Sequence, residues 1–193
     1  ARHIRRYEYK YRIRPEMLPF LERDLGEFLP HDRYSGASPG GFYHVRTLYF
    51  DTPSFRHFYE KEDGLEEKVK YRLRTYGGSP DAGSPVFLEI KRKRNLLVHK
   101  RRVLLSPEDA QRLCSERHAY LGDAHPASGA FAWALHRRHL QPVALVVYER
   151  QAWQLPDSAS YLRITVDREA WGSISESLFE PESAGAGVLP GEL

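Results

Sequence analysis

In the stretch EEKVKYRLRTYG, Lys68, Lys70, Arg72 and Arg74 alternate with Val69, Tyr71, Leu73 and Thr75. Successive side chains of a strand point to opposite faces, so four cations line one side and a largely apolar set lines the other. The pattern recurs. RRYEYKYRIR puts Arg6, Glu8, Lys10, Arg12 and Arg14 opposite Tyr7, Tyr9, Tyr11 and Ile13. VFLEIKRKRN puts Glu89, Lys91 and Lys93 opposite Leu88 and Ile90, and LLVHKRRVLLS carries Lys100 and Arg102 on one face. SYLRITVDRE sets Arg163, Thr165 and Asp167 against Leu162, Ile164 and Val166. Same-face neighbours stand about 7 Å apart, so each like-charge pair costs roughly 0.6 kcal/mol in water and about 2 kcal/mol at an effective dielectric near 20. Cross-strand repulsion adds to that if the strands pair. Cations gathered in this way call for an anion. Turned inward, the five faces form a barrel with a basic lumen and no free edges. Its ligand would be a small, dense polyanion lying along the axis, since duplex DNA cannot enter a bore of eight-strand size. Glu8 and Glu89 share faces with Lys10 and Lys91. Each alone is an ordinary ion-pair partner, whereas together in a phosphate tunnel they could hold a hard divalent cation.

The elements that must position these residues are mostly consecutive strands. Further strands are expected over residues 42–52 (FYHVRTLYFDT) and 143–153, which gives about seven in a largely antiparallel sheet. Helices are expected over residues 15–29, after Pro53 with Ser54 as N-cap, from Ser106 as N-cap with Pro107 at N1, and over residues 129–140. SGASPGG (35–41) and GGSPDAGSP (77–85) read as loops, the second joining a hairpin. The 193 residues suit a single domain spanning 1–193. With 29 Lys+Arg against 26 Asp+Glu the net charge is only +3, so it is the arrangement of charge, not its total, that points to a partner. The one cysteine, Cys114, excludes an intramolecular disulfide and fits a reducing, cytoplasmic setting. No apolar run approaches the length of a membrane span. His136 and His139 in HRRH read as solvated helix residues, Cys114 as buried, and no Walker loop is present.

The ordered blocks YEYKYRI, LYFDTP, KVKYRLRTYG, FLEIKRKRN, VHKRRV, VYERQAW and LRITVD, from residue 7 to about 168, resemble the polyphosphate-polymerase domain of the vacuolar transporter chaperone (VTC) family. That family belongs to the triphosphate tunnel metalloenzymes. The resemblance implies an α+β, mainly β fold: an antiparallel, eight-stranded closed barrel with flanking helices. It implies polyphosphate synthesis from a nucleoside triphosphate such as ATP, with Mn or Mg as cofactor. It maps phosphate-binding roles onto Lys10, Arg72, Arg74, Lys91, Lys100, Arg150 and Arg163, with Lys70 and Arg102 as additions; the divalent ion would be held by Glu89, Glu8 or the family's terminal acid. Two departures stand out. The family's last strand carries a Glu-x-Lys motif, while this sequence stops at GVLPGEL with only Glu192 near that place, so a truncated last strand is expected. Eukaryotic relatives also work beside a membrane channel, so a membrane partner is open, but no membrane segment accompanies the domain here.

Three functions share such a tunnel: polymerase, triphosphatase and non-catalytic polyphosphate-binding module. Hydrolase relatives often open with Glu-x-Glu-x-Lys. Here Arg6 stands in place of the first Glu, which favours the polymerase. A nucleic-acid partner is not expected, because the tyrosines are placed opposite the charges instead of among them.

Overall fold

A computed structural model describes residues 4–77, 84–116, 126–155, 162–179 and 186–187. The alternating segments form strands β1 (Ile4–Tyr7), β2 (Tyr43–Asp51), β3 (Glu67–Tyr76), β4 (Val86–Arg94), β5 (Leu97–Leu105), β6 (Gln141–Gln154), β7 (Arg163–Ile174) and β8 (Ala186–Gly187). All pair antiparallel in one sheet of order β1-β5-β4-β3-β2-β6-β7-β8. Six long strands, β2 to β7, thus carry one very short strand at each edge.

The expected closed barrel is not formed. Among the described residues β1 pairs only with β5 and β8 only with β7, so the sheet stays open between them. Closure requires every strand to have two neighbours, and neither edge has the length to supply one. The expected strand over residues 6–14 leaves the ladder after Tyr7, and 8–14 run without regular structure. Its tyrosines are not on a packed face: Tyr7, Tyr9 and Tyr11 are 68%, 66% and 83% exposed. After Trp171, Gly172, Ser173 and Ile174 finish β7 against β6, and Ala186 and Gly187 form the short β8. Residues 78–83 of the expected hairpin loop, the opening residues 160–161 of the last alternating stretch, and Glu192 lie outside the described residues.

Helices α1 (Leu18–Phe28), α2 (Arg33–Ala37), α3 (Arg56–Glu62), α4 (Pro107–Ser115) and α5 (Pro126–Arg138) surround the sheet. The face opposite the cations carries the main core. Leu48, Phe50, Tyr71, Leu73, Leu88, Ile90 and Leu145 pack there against Ala110 and Leu113 of α4 and Phe131, Ala134 and Leu135 of α5. A second cluster joins Leu29, Trp153 and Val166 to Leu18 and Leu25 of α1. Ser106 accepts from the Asp109 amide at 3.0 Å and caps α4 as the sequence predicts. Residues 35–41, read as loop, contain most of α2 and a 3-10 turn at Pro39–Gly41. The overlooked signal is Asp32, whose carboxylate accepts from the Tyr34 and Ser35 amides and caps α2.

The cap of α3 also differs from expectation. Ser54 does not cap the helix; Phe55 stands at that position with φ 54° and gives no side-chain bond. Asp51 of β2, 5% exposed, takes over: Oδ1 accepts from the amides of Thr52 and His57, and Oδ2 accepts from Phe58. One carboxylate thereby joins the end of β2 to the first turn of α3. We expect Asp51→Ala to destabilise the fold by about 2 kcal/mol, since charged acceptors of buried amides contribute on that order. Asp51→Asn, which keeps one acceptor oxygen, should lose less, as read from urea unfolding curves.

Candidate functional site

The strand register turns the charged faces into rungs. Tyr49, Arg72, Glu89 and Arg102 stand opposite one another across β2, β3, β4 and β5. The next rung in one direction is Lys70, Lys91 and Lys100, and in the other Thr47, Arg74 and Phe87. A residue slip anywhere would send these side chains to the helix-covered face, so the alternation read in the sequence fixes the site.

Glu89 is the hub. It is fully buried, at 0% exposure. Its Oε2 accepts from Arg72 Nε at 2.8 Å and lies 2.7 Å from Nη2, while Oε1 lies 2.5 Å from Lys100 Nζ and 2.9 Å from Arg102 Nε. The contacts of Oε1 are ion pairs outside hydrogen-bond geometry, so Oε1 and Arg102 Nε are buried without a hydrogen bond. Burial opposes ionisation of Glu89, but Arg72, Arg74, Lys100 and Arg102 outweigh it and hold the carboxyl well below the usual carboxylate range. Lys100 is in the reverse position. Burial depresses its pKa, Glu89 offsets part of that, and Arg72, Arg74 and Arg102 depress it further, to about 7. One carboxylate shared among several cations stabilises itself more than it stabilises any one of them.

The remaining expected residues surround this hub. Arg74, 5% exposed, donates from Nε to Thr47 Oγ1 at 3.0 Å. Lys91 Nζ donates to both oxygens of Glu8 at 3.0 and 2.7 Å, so Glu8 reaches across β5 to β4. Burial lowers the Lys91 pKa against the pull of Glu8. Lys70 is likewise lowered by burial, with its ammonium 5.5 Å from the Tyr49 ring centroid. Lys10 is exposed on the unpaired segment, but its charge is felt by both Lys70 and Lys91. Arg150 and Arg163 stand further off with carboxylates of their own. Arg150 forms a two-pronged pair with Asp167, Nε to Oδ1 at 2.6 Å and Nη2 to Oδ2 at 2.7 Å. Arg163 Nη2 donates to Asp32 Oδ2 at 2.7 Å and to the Tyr43 hydroxyl at 3.3 Å.

The expectation that tyrosines stay opposite the charges does not hold. Tyr49 and Tyr148 stand among the cations, and Tyr76 accepts from Arg102 Nη2. Arg102 also lies 3.7 Å from the Phe87 ring centroid. Tyr34, Tyr43 and Tyr76 cluster near Arg163, with the Tyr34 and Tyr76 rings stacked at 5.0 Å. The signal was available: in FYHVRTLYFDT, Tyr43, Thr47 and Tyr49 share one parity. Cys114 is partly buried, its thiol pushed up to about 11 by burial, as suits packing and not reactivity. Among the described residues no group of three or more His, Cys, Asp or Glu side chains comes together, His136 included.

The family model for the VTC domain matches residues 5–178. The chain belongs to the VTC-domain family. A search of curated proteins gives no match. Among solved structures, one from Bacillus halodurans described as a "putative adenylate cyclase" is similar at 14% identity and a TM-score of 0.51. The match covers 89% of this chain and 73% of that one. At that identity the likeness establishes a shared fold and nothing about activity. Among the described residues of this VTC domain no helix is long and apolar enough to cross a membrane.

Glu89 makes a stability prediction. Its folded pKa lies below the unfolded 4.5, so its contribution is present above that pH and is lost as the pH falls through and below it. Glu89→Gln should cost about 3 kcal/mol at pH 7 by leaving buried cations unpaired. Urea titrations between pH 5 and 3 should show a flatter loss of stability in the variant than in the wild type.

Proposed function

We propose that this VTC domain is an inorganic polyphosphate polymerase that transfers the terminal phosphate of a nucleoside triphosphate, ATP in particular, to a growing polyphosphate chain. The observation that carries the reading is the charge imbalance of one buried face. Among the described residues Lys70, Arg72, Arg74, Lys91, Lys100 and Arg102 converge there against Glu89 and Glu8. Such a face is suited to a chain of closely spaced phosphates. Arg72, Arg74 and Arg150 offer guanidinium forks that meet phosphate oxygens two at a time, and Lys91, Lys100 and Lys70 act as point charges. Lys10 and Arg163 extend the basic path towards its two sides.

Phosphoryl transfer needs alignment and neutralisation of oxygen charge more than covalent help from a side chain. The oxygen at the end of the polyphosphate chain forms a bond to the γ-phosphorus. The bond from that phosphorus to the β–γ bridging oxygen breaks, and the nucleoside diphosphate leaves with the electron pair. Arg72 and Arg74 hold the transferring group between donor and acceptor, and their charge offsets what builds up on its oxygens. Divalent Mn or Mg would be held by Glu89 and Glu8, both hard carboxylates, in exchange for the ion pairs that these now make to Lys100, Arg102 and Lys91. When bound, the ion would supply further neutralisation of phosphate oxygens.

Purified protein given ATP and Mn should lengthen polyphosphate, seen on gels, and Arg72→Ala with Arg74→Ala should reduce that at least a hundredfold. Orthophosphate release without chain growth would assign a triphosphatase instead, and binding without turnover would assign a polyphosphate-binding module. Lys100 makes a pH prediction. Its pKa of about 7 removes a cation as the pH rises, so tripolyphosphate affinity should fall between pH 6 and 8. Lys100→Arg, which keeps its charge, should show a shallower fall in calorimetry.

A further inference from the structure

The Tyr49 hydroxyl has no part in the ion pairs described above, yet it stands on the rung of Arg72, Glu89 and Arg102, next to the rung of Lys70, Lys91 and Lys100. Its ring is flanked by Lys70, 5.5 Å from the centroid, and by Arg72, 6.0 Å away. Arg72 Nη1 donates to its oxygen at 3.5 Å, so the phenol is an acceptor in that contact and still has its own proton to give. The backbone is irregular at this point. The β2–β6 register shifts between Tyr49 and Phe50, where Ala144 and then Pro142 are the partners and Val143 is the extra residue. Bulges re-aim side chains beside functional sites. Packing alone would be served by phenylalanine, so the hydroxyl needs a reason for standing among guanidinium groups.

We propose that Tyr49 is a further phosphate-binding residue of this site, donating its phenolic O–H to a non-bridging oxygen of the phosphate held by Arg72. The inference rests on the phosphate-binding reading above and adds a neutral donor to what is otherwise a wall of charge. Each phosphate oxygen has several lone pairs, and one that faces β3 with its cations faces β2 on its other side. The hydroxyl can meet it there without adding repulsion to the cluster.

The charges around Tyr49 act in the same sense. Burial would raise its pKa, but Arg72, Arg74 and Lys70 of β3 pull harder the other way and bring it to about 8. Tyr148 of β6 and Glu89 of β4, behind Arg72, are the other ionisable groups facing this point. Tyr43 and Tyr148 are both raised instead, chiefly by burial, so Tyr49 stands apart from the other tyrosines of the site. A phosphate set beside the phenol brings negative charge, favours the protonated form and keeps the donor in place.

The test uses tripolyphosphate as the probe and needs no turnover. Calorimetry at pH 7 should give a Kd about tenfold weaker for Tyr49→Phe than for the wild type, the size expected for one hydrogen bond to a charged acceptor. Phenolate absorbance gives an independent readout. The wild type should release one phenolic proton near pH 8, the step should be absent in Tyr49→Phe, and tripolyphosphate should push it upward. The wild-type titration does not depend on how the variant folds. Wild-type binding with an equal Kd in Tyr49→Phe and a phenol step that tripolyphosphate leaves in place overturns the inference. A wild type that binds no tripolyphosphate overturns the phosphate reading itself.

Discussion

Burying several cations on one face is unfavourable unless an anion is present, and in the free protein that anion is Glu89. Arg72, Lys100 and Arg102 converge on a carboxylate that no water reaches. Without it, desolvation and mutual repulsion would work against the register that places them together. The rest of the site follows from this constraint. Arg74 turns to Thr47, Lys91 to Glu8, and Arg150 and Arg163 each to a carboxylate of their own. The cations are therefore ordered in advance, and a phosphate ligand meets donors whose rotamers are already selected, which lowers the entropic cost of binding.

Much of this was legible in the sequence because a strand has a period of two. Alternation alone assigned Arg72, Arg74, Glu89, Lys91, Lys100 and Arg102 to one face, and the register brings those six together. The helices were legible where a cap and an apolar stripe coincided, as at Ser106. Asp51 and Asp32 act as caps through bonds that spacing rules for Ser54 did not anticipate. Closure of the barrel was not legible. Alternation states which way a side chain points but not whether its strand finds a partner, and residues 8–14 alternate as well as any strand while standing outside the ladder.

Chemically the site has two kinds of wall. Strands β3, β4 and β5 supply most of the cations, whereas β2 and β6 bring hydroxyls, Thr47, Tyr49 and Tyr148, with Arg150 beside the last of them. Both register shifts among the described residues fall beside the hydroxyl wall. One lies at Tyr49, and the other lies between Val147 and Glu149, where Glu169 on β7 takes φ 50° opposite Tyr148. The cationic strands run without such a break. The regular ladder thus carries the charges, and local irregularity places the neutral donors.

The sheet order also bears on how the chain reaches this state. β2, β3, β4 and β5 follow one another as neighbours, whereas β6 must return to pair with β2 and β1 must return to pair with β5. Glu89 stands on the middle strand of β3-β4-β5, and every cation it touches lies one strand away. The compensation that Glu89 supplies is therefore formed within a meander of short sequence separation, whereas the Glu8–Lys91 pair waits for the return of β1. The slow steps imposed by long-range pairing are left to β6 and β1, which meet a basic surface whose repulsion Glu89 has already relieved in part.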